Sequence, residues 1–279
     1  MRIIFDLGAN KGQNLDYFLA NSDLVVAVEP NPDLCKVIHS RFSSEISDGR
    51  LFLENICLVD RNLSGSFVNF YINKKSHVNS SLNIPLNPEK SEKISVIGMT
   101  ASDLIKKYLK KEDVLYYVKI DLEGYDSIVL HDILSNHIYP EFISAEFQGI
   151  EVFAELIHCG KYNAFKTGDE IKTNITHNYD QNDFNSDTQS SGRFGNDLPG
   201  DWLDVDGFFY YLALTGKKGI DIHASLSHLP NTLISNKYLF KNIRNLLIIL
   251  KIEFTKYVLK VLKMNLKRIK TNFRKLFKI

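Results

Sequence analysis

Residues 2–12 read RIIFDLGANKG, and the fold is decided in this stretch. Arg2 to Asp6 is a short apolar run ending in a carboxylate, and Gly8 follows at once, so the segment reads as a buried strand entering a tight turn. Asn14 to Leu19 then has helical character. Gly8 and Gly12 stand four apart, and glycines at that spacing let the backbone come close to a ligand at a helix N-terminus, where free amides point outward. The turn is not a dinucleotide fingerprint, because Ala9 and Asn10 stand where GxGxxG requires a second glycine.

The same grammar continues outward. Leu24 to Val28 is a second β-branched run ending in Glu29, and Pro30 and Pro32 stop it before a helical Asp33 to Phe42. Leu51 to Val59 reads as a third strand, and Ser66 to Ile72 as its hairpin partner after Leu63-Ser64-Gly65. Residues 73–93 read as a loop, Ile94 to Met99 as a short strand and Ala101 to Lys110 as a helix. Val114 to Ile120 and Glu141 to Phe147 are further strands flanking a helical Asp126 to Leu134, and Phe208 to Leu214 reads as an edge or closing strand. Strands alternating with helices predict an α/β, Rossmann-like, doubly wound, mostly parallel sheet. Ligands of such sheets sit at the carboxyl ends of the strands, which gives weight to Asp6, Glu29, Asp121 and Glu146, all at predicted strand ends. Glu29, 21 residues past Gly8, is placed to take two ribose hydroxyls.

FDLGANKGQN, AVEPNP, NICLVD, Ser80-Ser81-Leu82 and VKIDLEGYD with its following SIVLHDIL together resemble the FkbM family of S-adenosylmethionine-dependent methyltransferases. These are class I Rossmann-like enzymes that O-methylate sugars and related hydroxyl compounds, and the likeness runs over residues 3–149. SGRFGNDLPGDW, residues 191–202, is similar to segments of polysaccharide-associated members. The resemblance implies that Asp6, Gly8, Ala9, Asn10 and Gly12 surround the methionine part of S-adenosylmethionine and that Glu29 binds its ribose. It puts Pro30 and Asn31 beside the adenine and Asn55 to Asp60 along its other flank. It turns Asp121 and Glu123 to the methionine moiety or the acceptor, and Glu146 to the acceptor side. Where members often carry a small residue and Glu, this chain has Tyr125-Asp126, which leaves Asp126 without a role.

A sugar hydroxyl is a poor nucleophile when neutral, so a general base is expected, and Asp121 and Glu146 are the candidates, ahead of the loop residues His77 and His177. Two carboxylates two apart can hold a divalent metal, but no third ligand stands out and no metal is assigned. Trp202 either stacks on a sugar face or anchors its loop on the core.

Charge divides the chain. Residues 236–279 carry 13 Lys/Arg and one acid, Glu253, whereas residues 1–235 carry 21 basic and 32 acidic side chains, so a net of +12 offsets a net of −11. An acidic body argues against nucleic acid gripped across its face. The expected division is a methyltransferase domain over 1–215, with an acidic acceptor loop at 166–207, a linker at 216–235 and a basic amphipathic helical tail at 236–279. Three partners suit the tail: an anionic membrane surface, favoured by about 1 kcal/mol per basic residue, a second copy of the chain, or RNA. Its longest apolar run, Leu246 to Leu250, is far shorter than a membrane span. Cys35, Cys57 and Cys159 are scattered, with no CxxC pair, and Asp6 follows too few apolar residues for a signal peptide. These features predict a cytoplasmic enzyme, peripheral at a membrane, whose acceptor is a saccharide or lipid-linked glycan. An RNA methyltransferase and a non-catalytic scaffold are the alternatives.

Overall fold

The computed structural model describes residues 1–73, 80–85, 88–168, 193–216 and 219–230. In chain order it builds β1 (Arg2–Leu7), α1 (Leu15–Ala20), β2 (Leu24–Val28), α2 (Pro32–Arg41), α3 (Ser43–Ser47), β3 (Leu51–Glu54) and β4 (Cys57–Leu58). There follow β5 (Phe67–Asn73), β6 (Ser91–Met99), α4 (Ala101–Tyr108), β7 (Val114–Ile120), α5 (Asp126–Ser135) and β8 (Phe142–Phe147). The last elements are α6 (Ile150–His158), β9 (Ala164–Thr167), α7 (Val205–Thr215) and β10 (Ile220–Ser225). The main sheet has seven strands in the order β3-β2-β1-β7-β8-β10-β9. β3, β2, β1, β7 and β8 pair in parallel, and β10 runs antiparallel to both its neighbours.

Both sheet faces are covered, as a doubly wound fold requires. Phe18 of α1 lies edge-on to Tyr117 of β7, so α1 covers the face on which Tyr117 stands. Ile38 and Phe42 from α2 and its cap join the same core cluster, along with Phe142, Phe194 and Trp202. Phe153 of α6 packs on Phe165 of β9. Phe165 alternates with Lys166 and so points to the opposite face, where α4, α5 and α6 pack side by side. This is a Rossmann-like, doubly wound, mostly parallel α/β fold.

Several elements differ from the sequence reading. The stretch Leu51 to Val59 is not one strand: it breaks at Asn55-Ile56, and β4 joins a separate three-stranded sheet in the order β4-β6-β5. The hairpin partner of β5 is therefore β6, from Phe67 opposite Ile97 to Asn73 opposite Ser91. Phe208 to Leu214 forms most of α7 rather than a strand. An apolar run of this length cannot be told from a helix by periodicity, and here Phe208 and Leu212, four apart, are the buried positions. The closing strand is β10, within the stretch read as a linker. Its Ile220, Ile222 and Ala224 alternate with Asp221, His223 and Ser225, and a polar residue at every second position disguised it.

The chain divides into two units: Met1–Val205 with Lys217–Asn231, and Asp206–Gly216 with Thr232–Ile279. The first holds both sheets. Of the second, the described part is α7 without Val205 and with Gly216. His77, His177, much of the acidic loop and the whole tail at 236–279 lie outside the described residues. Among the described residues no helix is long and apolar enough to cross a membrane.

Candidate active site

A cleft open to solvent lies at the carboxyl ends of β1, β2 and β7. The turn after β1 supplies Gly8, Ala9 and Asn10, the end of β2 supplies Glu29 and Pro30, and the loop after β7 supplies Asp121, Glu123 and Tyr125. Ile56, Cys57 and Leu58 form an apolar wall.

The turn is built by close approach. The Gly8 and Ala9 amides both donate to the Val28 carbonyl, at 3.1 and 2.9 Å, which folds the chain across the end of β2. Gly8 has φ +96°, and a Cβ there would stand 2.0 Å from the Asp121 carbonyl oxygen, so the turn rests directly on the end of β7. Gly12 serves a different purpose. It does not line the cleft, and a Cβ on it would meet Leu15 at 2.9 Å and Phe42 at 3.2 Å, so it lets α1 and α2 close behind the turn.

Glu29 is the best-held acid of the wall. One carboxylate oxygen accepts from the Asn10 amide at 2.9 Å and the other from the Asn31 amide at 2.8 Å. It is 6% exposed. Burial pushes its pKa up to about 7, against the pull of those two amides. Each oxygen keeps a lone pair for a further donor.

Asn31 and Asn55 support the wall from behind instead of lining it. Asn31 caps α2, accepting from the Asp33 amide at 3.0 Å, and Asn55 donates to the Glu29 and Pro30 carbonyls at 2.9 and 3.0 Å. Asp60 does not line the cleft either. It accepts from the Tyr125 hydroxyl at 3.4 Å.

On the opposite side, Asp121 and Glu123 both line the cleft. Glu123 has φ +52° and is pushed up to about 8 by burial and by Asp121, Glu146 and Asp126. Glu146 lies one strand further along, accepts from the Gln148 side chain at 2.6 Å, and is not a lining residue. Asp126 gains a role here: buried, it accepts from the Leu122 and Gly124 amides at 3.2 and 3.1 Å and fixes the loop that carries Glu123. Burial raises it to about 6.

Asp6 lies beneath the turn, fully buried and outside the cleft lining, with Lys119 Nζ 3.4 Å from its carboxylate. Lys119 was missed by the sequence reading, although a lysine inside the otherwise apolar VLYYVKI of β7 was a signal for it. Trp202 is an anchor. It is 7% exposed and packs against His228 and Phe142, with the Lys166 ammonium 5.1 Å from its ring. Among the described residues no group of three or more His, Cys, Asp or Glu is arranged to hold a metal ion.

The family model of the methyltransferase FkbM domain matches residues 6–175, well over half of the chain and the whole of this cleft. The chain belongs to the FkbM methyltransferase family. No curated protein matches it at a significant level. A solved structure described as that of an antibiotic related methyltransferase is similar over 82% of this chain and 88% of its own, at 13% identity and a TM-score of 0.32, too distant to carry weight. For an FkbM methyltransferase, the cleft occupies the ligand position its sheet requires.

Proposed function

We propose that this FkbM protein transfers a methyl group from S-adenosylmethionine to a hydroxyl of a saccharide acceptor, in surface glycan or polysaccharide biosynthesis. The observation that carries the reading is that Glu29, held by two backbone amides, and Asp121 line one cleft from opposite sides. The residues suit the cofactor. Glu29 has lone pairs for two ribose hydroxyls, and Asn10, which lines the cleft, has a buried side-chain oxygen with no hydrogen-bond partner. Ile56, Cys57 and Leu58 offer an apolar surface for a purine.

When bound, S-adenosylmethionine supplies an electrophilic methyl group on a sulfonium. The chain supplies alignment, through Gly8, Asn10 and Glu29, and a carboxylate to receive the acceptor proton. We assign that role to Asp121, since Glu146 does not line the cleft. An uncharged saccharide suits the acidic body, which carries a net charge of −11 over residues 1–235. The basic tail, by its sequence, suits an anionic membrane surface where lipid-linked glycans are assembled.

Methyl-transfer assays over a glycan panel, with mass spectrometry locating the added methyl, test the substrate class. A methylated saccharide supports it, and methylated RNA in place of any glycan would refute it. Asp121→Asn is expected to lower turnover by about 10²–10⁴-fold with little change in cofactor affinity.

A further inference from the structure

A polar row crosses the sheet under the cleft. Asp6 on β1 is paired with Lys119 on β7, Lys119 with Ser144 on β8, Ser144 with His223 on β10, and His223 with Lys166 on β9. Residues paired across strands share a face, so these five side chains stand side by side, and all are buried.

Two of its three basic members have other tasks. The Lys166 ammonium donates to the Leu198 and Gly200 carbonyls and so holds the segment that carries Trp202. His223 is pulled down to about 3 by burial, with Lys166 adding to it, so it is neutral. Lys119 is left as the charged group of the row at the cleft, and among the described residues that line the cleft it is the cation.

Its side chain is 3% exposed, and its ammonium stands within 3.4 Å of three oxygens. It donates to Asp121 at 3.2 Å and to the Gly8 carbonyl at 3.3 Å, and stands 3.4 Å from Asp6, whose oxygens have no aligned hydrogen bond. The contacts bind the turn after β1 and the acid after β7 to one buried charge.

We infer that Lys119 is the positioning residue of the cleft: it holds the Asp121 carboxylate and the Gly8 turn in register and sets one buried positive charge against the carboxylates around it, with Asp6 beneath it. The inference rests on the methyl-transfer reading for its purpose. The groups facing Lys119 are Asp6 from β1, Tyr117 and Asp121 from β7 and its end, and Asp221 from β10. Burial pulls the ammonium down, and Asp121, Asp6 and Asp221 more than reverse it, so it stays protonated beyond the range of an exposed lysine. Glu123 faces Asp121, Glu146 and Asp126, and Lys119 is the cation that opposes them.

Carboxyl and ammonium titrations by NMR on the full chain test this. In the wild type, Lys119 is expected to keep its proton past about pH 10.4, where exposed lysines lose theirs. In Lys119→Met, the Asp6 midpoint is expected to rise by about 1–3 pH units and the Glu123 midpoint to rise with it. Lys119→Met/Asp6→Asn removes both members of the buried pair and leaves Glu123 as the reporter if the single variant does not fold. Titration of Lys119 alongside the surface lysines, or unmoved carboxyl midpoints in a folded variant, overturns the inference. S-adenosylmethionine calorimetry on the wild type separates the two readings. Normal titrations without cofactor binding would refute the proposed function and leave the electrostatic role of Lys119 standing.

Discussion

Gly8 and Glu29 define what single residues contribute to the cleft. At Gly8 a Cβ would lie 2.0 Å from the Asp121 carbonyl, and the positive φ disfavours any L side chain there. Gly8→Ala is therefore expected to destabilise the fold by about 3 kcal/mol or more, read by urea denaturation, because the clash is with backbone and cannot be relieved by a rotamer. Glu29 gives a pH prediction with a definite sign. Its folded pKa is raised from the usual 4.5 to about 7, so its contribution to stability is complete below about 4.5 and is lost as pH rises through 7. Ribose hydroxyls prefer the ionised form, so S-adenosylmethionine should bind more tightly as pH rises through 7. Calorimetry at a series of pH values checks this, and Glu29→Gln should flatten the dependence. Gly8, Asn10, Glu29 and Asp121 were legible in the sequence because a strand-end acid beside a glycine turn is a local pattern. Asn31, Asn55 and Asp60 were read as ligand contacts, yet they hold the wall. Proximity in sequence to a site residue does not say which way a side chain turns.

At the scale of elements, legibility followed apolar composition. β1, β2, β7 and β8 are apolar almost throughout, and their β-branched runs announced them. β10 is buried as well, but it carries Asp221, His223 and Ser225 on the face of the polar row, and with only three apolar residues between them it fell within the stretch read as a linker. The aromatic run of α7 has high strand propensity, and its helical state follows from burial four residues apart, which no short window reveals. The segment from Phe194 to Trp202 has little regular structure of its own. It is fixed by Phe194 stacked on Tyr117 at 4.0 Å, by the carbonyls that Lys166 holds, and by Trp202 in the core. Trp202→Ala is accordingly expected to cost about 3–5 kcal/mol, measured as a lower midpoint in chemical denaturation.

The whole molecule joins an acidic body to a basic tail, with net charges of −11 over residues 1–235 and +12 over residues 236–279. If the tail serves only to hold the body at an anionic surface, a chain ending at Ser235 should keep its affinity for S-adenosylmethionine and lose flotation with anionic vesicles. Equal flotation of the two chains would remove the membrane role. The central proposal, however, belongs to the cleft: a nucleoside cofactor held by Glu29. Its most direct test is calorimetric titration of S-adenosylmethionine into the full wild-type chain and into Glu29→Ala. Saturable one-to-one binding, weakened about 100-fold by loss of two charge-assisted hydrogen bonds, is the predicted result. Equal affinity in the two proteins, or no binding to the wild type, would contradict it.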